Sequence, residues 1–195
     1  MESHIQSLLA ELYQAGQAND AREQERGKKM LNLEPDTARL INMLARSSRR
    51  KRVLEIGTSN GYSTIWLAEA VRAADGRVIS IDRDEQKQMQ ADANLRRAQL
   101  REHVDLFHGD ATGIVANFPG PFDCVFFDAD RWSAPRQLEL LRPKLTPDVF
   151  VFADNVLSHP DEIAGYLAAI NALPDFEHIV VPVGKGLSVA YRAGE

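Results

Sequence analysis

Short apolar runs alternating with amphipathic segments restrict the fold of this chain more than any other feature. The runs are Val53–Ile56, Val78–Ile81, Val104–Phe107, Cys124–Phe127 and Val149–Phe152. Between them lie Ser63–Val71, Glu85–Leu100, Ile114–Phe118 and Pro135–Leu141. Strands that alternate with helices pair in parallel and carry helices on both faces of the sheet. After Asp154 a helix over Pro160–Leu173 precedes two further runs, Ile179–Val183 and Leu187–Tyr191. Only Gly184-Lys185-Gly186 separates these two. A parallel crossover needs about a dozen residues or more, so they form an antiparallel hairpin. The expected fold class is α/β, a mostly parallel sheet ending in an antiparallel hairpin.

The chain of 195 residues fits one domain, with a core from residue 53 to 192 and N-terminal helices over residues 1–46. The spacing of Ile5, Leu8, Leu9 and Leu12 predicts a first helix that Gly16 ends. A polar stretch, Gln17 to Lys29, then crosses the surface. Pro35 opens a second helix whose buried stripe is Ala38, Leu40, Ile41 and Leu44. The stripe on the first helix would be partly exposed in a monomer, which predicts a homodimer. Arg49-Arg50-Lys51-Arg52 is read as a solvated lead-in to the first strand rather than a phosphate site.

Composition removes several classes of function. The net charge of −5 and the lack of a basic stripe with interleaved aromatics argue against nucleic acid. The single cysteine, Cys124, allows no internal disulfide and no multi-cysteine zinc site, and its place in an apolar run makes it core. No apolar run approaches the ~20 residues of a membrane span, and Met1-Glu2-Ser3-His4 does not begin an export signal. The expectation is a cytoplasmic protein with neither a membrane nor a nucleic-acid partner. The five histidines form no pair at metal-binding helical spacing.

In doubly wound sheets ligands bind beyond the carboxyl ends of the strands. After the first run comes Glu55-Ile56-Gly57-Thr58-Ser59-Asn60-Gly61-Tyr62-Ser63, a glycine turn leading into a helix. A dinucleotide fingerprint needs glycine where Ser59 stands, because a pyrophosphate must approach the backbone there. The loop therefore suits a nucleoside without a pyrophosphate, and NAD is disfavoured. Asp82, ending the second run 25 residues beyond Gly57, is placed to accept hydrogen bonds from a ribose diol. Asp110, after the third run, either accepts from an adenine amino group or caps the following helix. Asp128 ends the fourth run, and Asp154 and Asn155 end the fifth. If those strands are neighbours, the three converge as hard oxygen ligands suited to Mg²⁺, Mn²⁺ or Ca²⁺. The alternative is that Asp128 serves the cofactor edge and Asp154 caps a turn.

Over roughly residues 28–192 these motifs resemble the class I S-adenosylmethionine-dependent O-methyltransferases, in the catechol and caffeoyl-coenzyme A branch. The residues that carry the likeness are Val53–Ser63, Ile81-Asp82, Gly109-Asp110-Ala111, Phe122–Asp130, Ala153–Leu157 and Pro182–Leu187. The resemblance implies a seven-stranded Rossmann-like sheet with S-adenosylmethionine over the glycine loop. By match, Leu33, Glu55, Gly57, Ser59, Gly61 and Ser63 line the methionine side, Asp82 holds the ribose, and Asp110 and Ala111 border the adenine. Asp128, Asp154 and Asn155 match divalent-metal ligands, with Asp128 also bordering the cofactor. The implied activity is methyl transfer to a hydroxyl of a small phenolic or catechol-like substrate, assisted by Mg²⁺ or Mn²⁺.

Three positions depart from that pattern. The family's lysine three residues beyond the first metal aspartate is Arg131 here, which stabilises a phenolate but is a poor base. A tyrosine three residues further on is Ala134. The hairpin's Gly-Asp-Gly is Gly184-Lys185-Gly186, which exchanges an acid facing the substrate for a base. Arg131 and Lys185 together would suit an anionic acceptor without a metal, and a non-catalytic S-adenosylmethionine-binding protein is the further alternative. His159 and Trp132 are candidates to face the acceptor, and Trp66 reads as core or as a wall under the adenine.

Overall fold

The computed structural model describes residues 1–194. In chain order its elements are α1 (Ser3–Arg22), α2 (Pro35–Ser47), β1 (Arg52–Ile56), α3 (Tyr62–Arg72), β2 (Arg77–Asp82), α4 (Glu85–Arg97) and β3 (Val104–His108). There follow α5 (Ala111–Asn117), β4 (Phe122–Phe127), α6 (Ala134–Leu141), β5 (Leu145–Ala153), α7 (Pro160–Asn171), β6 (Glu177–Val181) and β7 (Leu187–Arg192). The strands make one seven-stranded sheet in the order β3-β2-β1-β4-β5-β7-β6. Strands β1 to β5 pair in parallel, and β7 runs antiparallel to both β5 and β6. The chain builds outward from β1 to β3, then restarts at β4 on the other side of β1. That reversal opens a crevice at the carboxyl ends of β1 and β4.

Successive strand side chains face opposite ways, so each central strand feeds two cores. Val53, Cys124, Phe126 and Phe152 pack with residues of α1 to α4, such as Leu9, Ile41, Ile65 and Leu95. Leu54, Ile56, Val125 and Phe127 pack on the other face with Leu138, Ile163, Tyr166 and Ile170. This alternation turns Glu55 towards α3, on the side of Val53.

Four details of the N-terminal part correct the sequence reading. Helix α1 does not stop at Gly16 but runs to Arg22. Gly16 is buried within it because Asn32 packs there: a Cβ would overlap Asn32 Nδ2, which donates to Leu12 O at 3.0 Å. Ile5, Leu8, Leu9 and Leu12 are covered by their own chain, so the reason for expecting a homodimer falls away. In α2 the fully covered side chains are Thr37, Ala38, Ile41, Asn42 and Ala45, with Leu40 and Leu44 only partly buried. Nor is the basic lead-in fully solvated. Arg50 is buried, pairs with Asp148 at 2.8 Å, donates to Asp148 O at 2.9 Å and lies over the Phe150 ring. Among the described residues no helix is long and apolar enough to cross a membrane.

Candidate functional site: a cleft at the strand ends

A cleft of about 830 Å³ lies at the crevice. Of the residues singled out in the sequence, it brings together Leu33, Gly57, Ser59, Ser63, Asp82, Asp110, Ala111, Asp128, Arg131 and Asn155. Its floor is fixed by backbone hydrogen bonds between strand ends: Gly57 N to Ile81 O, Asp128 N to Ile56 O and Asp154 N to Phe127 O, all 2.9–3.0 Å. Gly57 has φ +113°, and a Cβ on it would overlap the Asp128 carbonyl oxygen. Glycine is therefore required by the approach of β4 as well as by the positive φ.

Both oxygens of Asp82 are aimed by backbone donors. Ser59 N donates to Oδ2 at 2.8 Å and Asp84 N to Oδ1 at 2.9 Å. Each oxygen keeps a lone pair towards the cleft, enough for a vicinal diol. Of the two roles the sequence left open for Asp110, the cap is formed. Its Oδ2 caps α5 by accepting from Gly113 N at 2.7 Å, and the residue lines the cleft beside Ala111.

Two residues matched to the cofactor lie elsewhere. Glu55 is wholly buried below the loop. Its Oε1 accepts from Ser63 Oγ at 2.6 Å, and its Oε2 accepts from Thr64 Oγ1 at 2.5 Å and Ser80 Oγ at 2.6 Å. Burial pushes its carboxyl up to about 7, against the opposing pull of the three hydroxyls. Gly61, with φ +85°, faces α4, where its Cβ would stand 3.0 Å from Ala91 Cα. Trp66 packs against the α1–α4 core.

Neighbouring β4 and β5 bring Asp128, Asp154 and Asn155 to one small pocket at the edge of the cleft, shared with Arg131 and Gln137. Asn155 adopts φ +65° and its Nδ2 donates to Asp154 Oδ2 at 2.6 Å. Asp154 Oδ1 is buried without a partner. Desolvation, then the neighbouring Asp154 and Glu55, holds the Asp128 carboxyl well above the usual range. Burial likewise raises Asp154 to about 6. An orphaned carboxylate oxygen beside a second, half-buried carboxylate fits a bound cation. Among the described residues no group of three or more His, Cys, Asp or Glu could hold a metal ion, so the set rests on two carboxylates and one amide.

The two departures from the family's charges each have a partner. Arg131 Nη1 lies 2.7 Å from Glu162 Oε2, and Lys185 Nζ lies 2.8 Å from Glu34 Oε1. Neither is a free cation waiting for an anionic acceptor. His159 and the exposed Trp132 do line the cleft. The wall formed by residues 24–33 escaped the sequence reading apart from the Met30–Leu33 stretch matched by resemblance, because its contacts are hydrogen bonds to backbone and carry no periodicity.

The profile of a family described as a methyltransferase domain matches residues 54–156. A catechol O-methyltransferase of Niastella koreensis is 32% identical over 137 residues, covering 68% of this chain and 62% of that protein. Another, from Mycobacterium tuberculosis, is 38% identical over 94 residues, covering 48% of this chain and 42% of that one. The matched stretches thus span less than two thirds of these curated relatives. An O-methyltransferase from Streptomyces achromogenes involved in tomaymycin synthesis, solved in complex with S-adenosylmethionine, superposes with a TM-score of 0.80 at 27% identity. That superposition covers 96% of this chain and 90% of the other. Sheet order, cleft and profile agree: the chain belongs to the methyltransferase-domain family and has the fold of its class I O-methyltransferases.

Proposed function

We propose that this protein is an S-adenosylmethionine-dependent O-methyltransferase acting on one hydroxyl of a small phenolic or catechol-like acceptor, with a divalent metal at Asp128, Asp154 and Asn155. The observation that carries this reading is the pairing of two features in one cleft. Asp82 and the Gly57 loop stand on one side, and the half-buried Asp128 with the buried Asp154, one of whose oxygens is unsatisfied, stand at the other edge. The catechol O-methyltransferase relatives and the S-adenosylmethionine-bound neighbour support it.

Methyl transfer is an in-line displacement at a sulfonium, so positioning supplies most of the rate. In this reading Asp82 takes the ribose hydroxyls, Asp110 and Ala111 border the adenine, and the backbone after Gly57 supports the methionine part under Leu33. A divalent ion held by Asp128, Asp154 and Asn155 would supply Lewis-acid chemistry, lowering the pKa of a bound hydroxyl. Arg131, kept as a fixed cation by Glu162, stabilises negative charge on the acceptor oxygen but cannot take its proton. A metal-independent reaction on an anionic acceptor draws less support, since Arg131 and Lys185 are already neutralised.

The test is methylation of a catechol panel with Mg²⁺, together with Mn²⁺ binding by electron paramagnetic resonance. Product is expected with wild type, and both product and Mn²⁺ signal are lost in Asp154→Ala. Full activity in chelator would end the metal assignment. S-adenosylmethionine binding without product on any acceptor would favour a non-catalytic binding protein.

A further inference from the structure

The segment from residue 24 to 33 forms one wall of the cleft, yet it has almost no core of its own. No residue from Gln17 to Asn32 is buried, and Leu33 is the first apolar side chain of the segment to be covered. Polar pins hold the segment instead. Ser59 Oγ donates to Met30 O at 2.9 Å, Lys87 Nζ donates to Lys29 O at 2.8 Å, and Asp20 accepts from Met30 N and Leu31 N. Leu31 is held at φ +49°, an uncommon conformation for leucine, and its side chain is half exposed. A segment with few buried apolar contacts and strained backbone opens at low cost.

One end of this strap is fastened differently. Directly after Leu33, Glu34 reaches the hairpin turn and pairs with Lys185 at 2.8 Å. The turn fits closely against the strap's root: a Cβ on Gly184 would overlap Thr37 Oγ1 and stand 2.9 Å from Glu34 Oε2. On its other side the same turn accepts backbone bonds from Val156 N (by Gly186 O, 3.1 Å) and Leu157 N (by Lys185 O, 3.0 Å), just beyond Asn155. The turn therefore joins the root of the strap to the segment that carries Asn155.

We propose that the Glu34–Lys185 ion pair is a latch that holds the strap over the cleft, which makes Lys185 and Glu34 positioning residues for whatever the cleft binds. The inference rests on the proposed S-adenosylmethionine cleft only for the identity of that ligand. With the latch closed, the strap's Met30–Leu33 stretch lies over the glycine loop and shields it from water. With the latch broken, the strap keeps only the hydrogen bonds of Ser59, Lys87 and Asp20 to its backbone, and it opens more often.

Two readouts test this on Lys185→Met, Glu34→Leu and the double variant. Hydrogen–deuterium exchange of the ligand-free protein is expected to speed up about fivefold over residues 24–33 in each single variant, the upper range for a half-exposed pair, with the strands unchanged. The double variant is expected to be no faster than either single one, because both remove one interaction. S-adenosylhomocysteine affinity, read by calorimetry, is expected to fall by a similar factor. Unchanged strap exchange in Lys185→Met, or additive effects in the double variant, would overturn the latch. Faster strap exchange in the variants, with a wild type that binds no S-adenosylhomocysteine, would keep the latch and remove the cofactor reading.

Discussion

Replacing Glu55 by glutamine should change how stability depends on pH. The carboxyl is wholly buried under the glycine loop, and its pKa moves from an ordinary 4.5 to about 7. Between those values the unfolded chain has released a proton that the folded chain keeps, so rising pH favours unfolding. The stability contributed by the neutral form is complete below about 4.5 and lost above about 7. At about 1.4 kcal/mol per pH unit, that window corresponds to about 3 kcal/mol. Glutamine matches the site in shape: its amide can meet the Ser63, Thr64 and Ser80 hydroxyls, which reorient as donors or acceptors. Urea unfolding of wild type and Glu55→Gln at pH 5, 6, 7 and 8, in chelator, reads the difference directly. Wild type should lose about 2.5 kcal/mol relative to the variant between pH 5 and pH 8. A difference that stays flat with pH would refute the claim that Glu55 is neutral in the folded protein at low pH and ionised only near neutrality.

Two further substitutions test the architecture of the site. Gly57→Ala places a methyl group on the Asp128 carbonyl at a positive φ, and is expected to cost at least about 2 kcal/mol in thermal unfolding and to abolish S-adenosylhomocysteine binding. Arg50→Ala removes a buried guanidinium bonded to Ser48 and to the exposed Asp148, with an expected loss of about 2 kcal/mol in urea unfolding from lost packing and hydrogen bonds. Lysine at that position should restore little, since it cannot reproduce the fork over the Phe150 ring.

The sheet was legible because its pattern is redundant. Seven runs and their connections each specify the same topology, and the three-residue link at Gly184-Lys185-Gly186 admits only an antiparallel return. The acids at the strand ends were legible for a related reason: strand ends in a doubly wound sheet share one edge, so Asp82, Asp128 and Asp154 had to reach that edge once the strand order was right. What stayed hidden depends on contacts between distant parts of the chain. Gly16 looks like a helix stop unless one knows that Asn32 packs against it. Arg131 and Lys185 look like free cations until α7 and the root of α2 bring Glu162 and Glu34 beside them. Glu55 belongs to a motif whose neighbours line the cleft, yet the two-residue period of β1 turns it inward, away from any ligand.

The backbone bonds that tie Gly57 to β2, Asp128 to β1 and Asp154 to β4 have a consequence for how such a protein can change. They set the spacing between the Asp82 side and the acidic side of the cleft by main-chain geometry, which side-chain replacements leave alone unless, as at Gly57, an added Cβ meets the neighbouring backbone. Trp132, His159 and the strap line the cleft from outside that lattice, and in the proposed function they face the incoming acceptor. Acceptor preference can therefore be rewritten by exchanging loop side chains one at a time, while the distance over which a group must be passed stays the same. Libraries aimed at new acceptors should vary those loops and leave the three strand ends alone.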